Sequence, residues 1–200
     1  MNLRAPAILV AARPHGETAV IARLLTEEHG LVAGYVAGGR GRQLRPVMIP
    51  GNRVALELRS KSDSQLPFAR IELEESRGPW MTEPLPAAAI SWACVLTATA
   101  LPERAPYPAL YIALDALLSA ICHAPSARGW LAAMNTYEAM LMSQLGYGGT
   151  KPDAAADLPA QFETFRQLHT PLSRYLLADS KSDVMPTRVL LGEKLARMVQ

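Results

Sequence analysis

The sequence predicts an α+β protein: a five-stranded barrel over residues 1–78, followed by an all-helical region over 79–200. Three observations carry this. Short apolar runs divided by turn clusters fill the first 75 residues, with no helical stretch long enough for a βαβ crossover. After Arg77-Gly78-Pro79 the apolar spacing changes from two to three-and-four. A chain of 200 residues also holds enough for one large domain or two small ones, each with a buried core.

The strands come first. Ala5 to Ala12 is a compact apolar run, ended by the turn cluster Arg13-Pro14-His15-Gly16. Thr18 to Thr26 fits a helix or a strand by periodicity, and the turn signal Glu27-Glu28-His29-Gly30 behind it favours a strand. Leu31 to Ala37 is a third run. Over Asn52 to Arg59, Val54, Leu56 and Leu58 share one face, against Ala55, Glu57 and Arg59. Over Ala69 to Glu74, Ala69, Ile71 and Leu73 oppose Arg70, Glu72 and Glu74. Period two means one buried face and one wet face. Five such strands imply an antiparallel Greek-key barrel of the OB-fold type, a fold that commonly binds oligonucleotides.

The helical part follows. Ala88, Trp92, Val95 and Thr99 form one stripe, and Leu110, Leu114, Leu117 and Ile121 another. Trp130, Met134, Tyr137, Leu141 and Leu145 form a third, with Gly146 as its left-handed stop. Phe162, Phe165 and Leu168 mark a fourth helix. Thr170-Pro171 reads as cap and first residue of a short fifth. Pro186-Thr187 opens a last helix carrying Leu191, Leu195 and Met198, and Gly146 to Asp157 is a loop.

Net charge is only +2, so a uniformly basic surface is excluded. The charge is local. Residues 1–80 hold 11 Arg or Lys against 8 Asp or Glu, and residues 81–200 hold 9 against 10. The stretch GGRGRQLRPVMIPGNR (Gly38–Arg53) concentrates it, with Arg40, Arg42, Arg45 and Arg53 and no acid anywhere between Glu28 and Glu57. Gly38, Gly39 and Gly41 would let the backbone approach a ligand closely. A planar guanidinium suits phosphate oxygens, so Arg40, Arg42 and Arg45 are candidate nucleic-acid contacts. Arg53 either joins them or pairs with an acid on a neighbouring strand. Arg13 is either a plain turn residue or part of a second backbone clamp, and His15 reads as a turn residue. Residues 1–75 contain only Tyr35 and Phe68 as Phe, Tyr or Trp side chains. Tyr35 either stacks on a base or sits at the core with its hydroxyl at the rim. The shortage points to electrostatic, sequence-tolerant binding.

Other chemistry is unsupported. Cys94 and Cys122 make no zinc pattern and read as buried, reduced thiols. Cys122 and His123 project about 100° apart on a helix and do not face each other. The carboxylate pairs Glu27-Glu28 and Glu74-Glu75 read as solubilising charges. Neither a phosphate-binding lysine loop nor a dinucleotide glycine fingerprint occurs. No stretch reaches the length of a membrane span, and MNLRAPAILVAARPHGE lacks a secretory signal, so a cytoplasmic protein is expected.

Several segments carry a family resemblance. RPHGET (Arg13–Thr18), LLTEEHG (Leu24–Gly30), GGRGRQLRPVMIPGN (Gly38–Asn52), LPERAPYPALYIALDALL (Leu101–Leu118) and LMSQLGYG (Leu141–Gly148) follow one another at sensible spacing. Together they resemble RecO, the bacterial recombinational-repair mediator family, from about residue 7 to 148. After Gly149 only a general helical character remains. The resemblance implies a non-enzymatic, nucleoid-associated protein of DNA repair. It implies binding to single- and double-stranded DNA, annealing of complementary strands, partnership with RecR, contact with the single-strand-binding protein and help in loading RecA. No cofactor is implied. Some members carry a four-cysteine zinc cluster in the C-terminal part; here no cysteine follows Cys122, so no metal site is expected. Contact with the single-strand-binding protein suggests Arg128 beside Trp130 as a seat for a peptide ending in acids and an aromatic residue. The alternative reading is a protein-interaction adaptor whose barrel arginines engage an acidic partner protein.

Overall fold

The computed structural model describes residues 2–60, 65–149 and 151–199. Five strands come first: β1 (Asn2–His15), β2 (Ala19–Thr26), β3 (Gly30–Val36), β4 (Arg53–Arg59) and β5 (Phe68–Glu75). They close into a barrel in the order β1-β2-β3-β5-β4, the five-stranded architecture of an OB-fold. Helices follow: α1 (Pro84–Ala100), α2 (Pro108–His123), α3 (Leu131–Gln144), α4 (Leu158–Gln167), the short α5 (His169–Pro171) and α6 (Met185–Val199).

The barrel corrects the expectation of purely antiparallel pairing. β3 meets β5 in parallel, at Tyr35 and Phe68. Directions cannot alternate all the way round a ring with an odd number of strands, so one neighbouring pair must run parallel. β1 is also longer than its apolar run. It pairs with β4 through Asn2–Ile8 and with β2 through Ala7–His15, so one strand serves both neighbours. A bulge between Leu9 and Ala11 lies near this change of partner and gives the local bend.

The period-two pattern of β4 is realised. Val54, Leu56 and Leu58 point inward with Ala7, Leu9, Val20, Ala22, Leu24, Val32, Val36 and Ile71. Leu73 departs from the pattern. It lies beside the irregularity at Arg53/Val54 and is 41% exposed.

The chain divides into two compact units. One comprises residues 1–82 together with 101–111, the other 83–100 with 112–200. In the first, the Arg104 amide donates to the Leu31 carbonyl at 2.8 Å, and Arg23 pairs with Glu103 at 3.2 Å. Gly30 (φ +66°) allows this, because a Cβ there would lie 2.0 Å from the Ala105 carbonyl oxygen.

In the second unit α1 is buried over most of its circumference, including Ala89, Ile90, Ala93, Cys94, Leu96 and Thr97 beside the expected Ala88 and Trp92. In α2 the second unit holds the residues from 112 on, where Leu114, Leu117 and Ile121 are buried as expected; Leu110, in the first unit, is buried too. Gly146 (φ +86°) ends α3, with the Tyr147 amide donating back to the Met142 carbonyl at 2.9 Å. Two expectations fail. Thr170 lies inside α5 rather than capping it, because the chain runs on from α4 through Leu168 in helical conformation. Met198 is 40% exposed, near the end of α6.

Candidate nucleic-acid interface

Residues 37–52 link β3 to β4 as a chain of tight turns. The Gly41 amide donates to the Gly38 carbonyl at 2.8 Å, Arg45 N–H to Gly41 at 2.9 Å, and Met48 N–H to Leu44 at 3.0 Å. Val47 and Met48 are buried and join the barrel core, so the loop is anchored by its own apolar residues.

The glycines serve this geometry. Gly38 needs its positive φ of 66°, and a Cβ on Gly39 would lie 2.9 Å from the Val20 side chain. A Cβ on Gly41 would come within 3.0 Å of the Gly38 carbonyl.

Asn52 closes the loop. Its side chain is fully buried, and Nδ2 donates to the Pro46 and Val47 carbonyls at 2.9 and 3.1 Å. Its Oδ1 accepts from the Arg77 amide at 2.7 Å. One amide side chain therefore joins the arginine loop to the segment leaving β5. Sequence reasoning missed this role; the only signal was a polar residue between Gly51 and a strand start.

Arg40 joins two turns. Its amide donates to the Thr18 carbonyl at 2.9 Å. Its Nη1 donates to the Gly16 and Glu17 carbonyls at 3.2 and 3.0 Å. The arginine loop is thereby tied to the β1–β2 turn, at the end of the strand that carries Arg13. Arg13, Arg42 and Arg45 are exposed, and among the described residues none of them has an ion pair. Glu17 is the single acid in residues 13–18 and 37–52. The barrel thus presents guanidinium groups at one end with almost no local neutralisation.

The other candidates are placed differently. Arg53 lies 3.5 Å from Glu74 and 3.6 Å from Glu75, the strand pairing that its sequence position allowed. Arg128 is exposed, but Trp130 is only 1% exposed, so its ring belongs to the core and offers no face to a docking peptide. Cys94 and Cys122 are buried and form no disulfide. Among the described residues no cluster of three or more His, Cys, Asp or Glu could hold a metal ion, and no helix is long and apolar enough to cross a membrane.

The family models decide the identity. The N-terminal domain model of recombination protein O matches residues 1–77, and the C-terminal model matches residues 82–150. The chain belongs to the RecO family. Its RecO relatives include the DNA repair protein RecO of Rhodospirillum centenum, 43% identical over 143 residues, covering 71% of this chain and 56% of the relative. RecO of Phenylobacterium zucineum is 40% identical over 149 residues, covering 74% and 60%. RecO of Caulobacter vibrioides is 39% identical over 143 residues, covering 71% and 58%. The chain therefore spans less than two thirds of the length of these RecO proteins. The barrel with its arginine loop lies wholly within the RecO N-terminal match.

Proposed function

We propose that this RecO-family chain is a non-enzymatic DNA-binding protein of recombinational repair. It holds single- and double-stranded DNA by the phosphate backbone, anneals complementary strands, and acts with RecR and the single-strand-binding protein to assist loading of RecA. The DNA-binding part is assigned to residues 1–78 and partner contacts to residues 79–200. Arg42 and Arg45 carry the phosphate contacts with Arg13, while Arg40 contributes charge and also holds the loop in place. Arg53 shares its charge with two acids and contributes less.

The observation behind this reading is the set of exposed arginines, with Glu17 as the single acid in the same segments, gathered at one end of a closed barrel by the Arg40 and Asn52 hydrogen bonds. Phosphate neutralisation supplies most sequence-independent affinity for nucleic acid, and it does so through guanidinium groups placed like these. Two strands held by one basic surface meet with their mutual repulsion screened, which favours annealing. No bond is made or broken by the protein.

The test is binding of a labelled single-stranded oligonucleotide across a salt series. Each phosphate contact contributes about 0.7 to the slope of log K against log salt. Arg42→Ala with Arg45→Ala should remove roughly 1.4 units of slope and most of the affinity. Equal slopes for wild type and the double variant would remove the loop from the DNA site. Absence of binding at low salt, with capture of an acidic partner protein, would favour an adaptor.

A further inference from the structure

The strand register sets five residues in one row across the outside of the barrel. Arg13 on β1 pairs with Ile21 on β2, and Ile21 with Tyr35 on β3. Tyr35 pairs with Phe68 on β5, and Phe68 with Arg59 on β4. Directly paired residues project from the same face of a sheet. Their chain neighbours Val20, Val36 and Leu58 are buried in the barrel interior, which fixes the row as outward-facing. The row therefore reads arginine, isoleucine, tyrosine, phenylalanine, arginine.

The two central rings touch. Tyr35 and Phe68 lie 5.4 Å apart between centroids, at 77°. His15 also meets Tyr35 edge-on, at 5.9 Å and 85°. Phe68 is 65% exposed, the most exposed large apolar side chain among the described residues. A phenylalanine left in water on a sheet face gains nothing from folding there. Its surroundings say what would cover it. Arg13 at one end of the row is exposed and has no acid partner among the described residues, and Arg59 at the other is exposed but shares its charge with Glu57 at 2.6 Å. Aromatic rings interleaved with guanidinium groups match a strand of flat, apolar bases joined by phosphates. A duplex hides its base faces and could use only the arginines.

We infer that Tyr35 and Phe68, with His15 beside them, form a stacking step for unpaired bases, which gives the protein a preference for single-stranded over duplex nucleic acid. This rests on the DNA-binding reading above and adds to it a second contact type that does not depend on salt.

Three ligands test it on the full chain: a single-stranded oligonucleotide, the same oligonucleotide built from abasic units, and a duplex. Phe68→Ala should weaken binding of the normal single strand at least about five-fold, with the salt slope unchanged and duplex binding within about two-fold. Phe68→Trp should hold or strengthen single-strand binding. Wild type should bind the abasic strand as weakly as Phe68→Ala binds the normal one, a comparison that needs no variant to fold. Equal binding of normal and abasic strands by wild type overturns the stacking step and leaves the arginine site standing. Equal loss of single-strand and duplex binding in Phe68→Ala also overturns it, since the residue would then act through the fold. If wild type binds none of the three, the DNA-binding reading falls and the stacking step falls with it.

Discussion

Arg188 donates two hydrogen bonds to Glu138, at 3.0 and 2.7 Å, with both side chains withdrawn from solvent. The pair is further satisfied on every side. Trp92 Nε1 donates to the same carboxylate at 2.6 Å, Arg188 donates to the Phe165 carbonyl at 2.5 Å, and its guanidinium lies 3.8 Å from the Phe165 ring centroid. Residues of α1, α3, α4 and α6 therefore share one polar knot inside an apolar helical unit. Such a knot specifies which helix faces meet, because any other register leaves a charge buried alone.

Removing one partner should thus be costly. Arg188→Met is expected to destabilise the protein by about 3–5 kcal/mol, because the fully buried Glu138 carboxyl loses its cation partner. Arg188→Met together with Glu138→Leu should recover much of that loss. Urea denaturation of the two variants and wild type, followed by circular dichroism, checks the ordering.

Asn52→Ala should act on both stability and binding. It leaves the Arg77 amide and the Pro46 and Val47 carbonyls without their side-chain partner, a loss of about 1–3 kcal/mol. DNA affinity should fall although no charge has been removed, because the arginine loop loses its hold. The salt series on Asn52→Ala separates this from direct contact: the affinity should drop more than the slope.

Gly30 and Gly16 make a matched pair of backbone tests. Both have positive φ, +66° and +60°. A Cβ on Gly16 meets nothing within 4 Å, so Gly16→Ala should cost only the left-handed penalty of about 1–2 kcal/mol. A Cβ on Gly30 would collide with the Ala105 backbone, so Gly30→Ala should cost more and should loosen the Leu31–Arg104 contact. Thermal unfolding gives the difference in stability. Amide exchange at Arg104 reads the local loosening.

Glu57 should stay ionised in moderately acidic solution. Hydrogen bonds from Arg4 and then Arg59 hold its carboxyl below the ordinary glutamate range. A carboxylate depressed in the folded state stabilises above its unfolded pKa, and the contribution is lost as pH falls through the folded value. Arg4→Gln should therefore move the Glu57 carbon titration upward, toward the unperturbed value. An unmoved titration in that variant would assign the effect to Arg59.

Much of this molecule was legible in its residues, and the limits of legibility have physical causes. Alternation placed Val54, Leu56 and Leu58 in the barrel interior, since a strand with one wet face must repeat every two residues. Three-and-four spacing placed Leu110, Leu114, Leu117 and Ile121 against a core, and Gly146 as the end of α3, because these depend on local geometry. The arginine loop was visible as composition, but the role of its glycines was not, since their necessity comes from Val20 and from turn closure. Leu73 and Met198 were misplaced because irregular register and a helix end expose residues that periodicity would bury. Trp130 reads as an anchor beside Arg128 only until its burial is known.

Sequence alone thus determined the strand and helix segments, the acid-free arginine stretch and the family, all of which are written in neighbouring residues. Tertiary structure alone decided which distant residues became neighbours. Closing five strands into a ring forced β3 and β5 together in parallel and brought Tyr35 to Phe68. It also gave Arg53 its acids on β5, let Arg40 reach back to Gly16 and Glu17, and set Arg188 on Glu138 across 50 residues of chain. Ring closure and side-chain burial are properties of the assembled unit, and no window of sequence contains both partners.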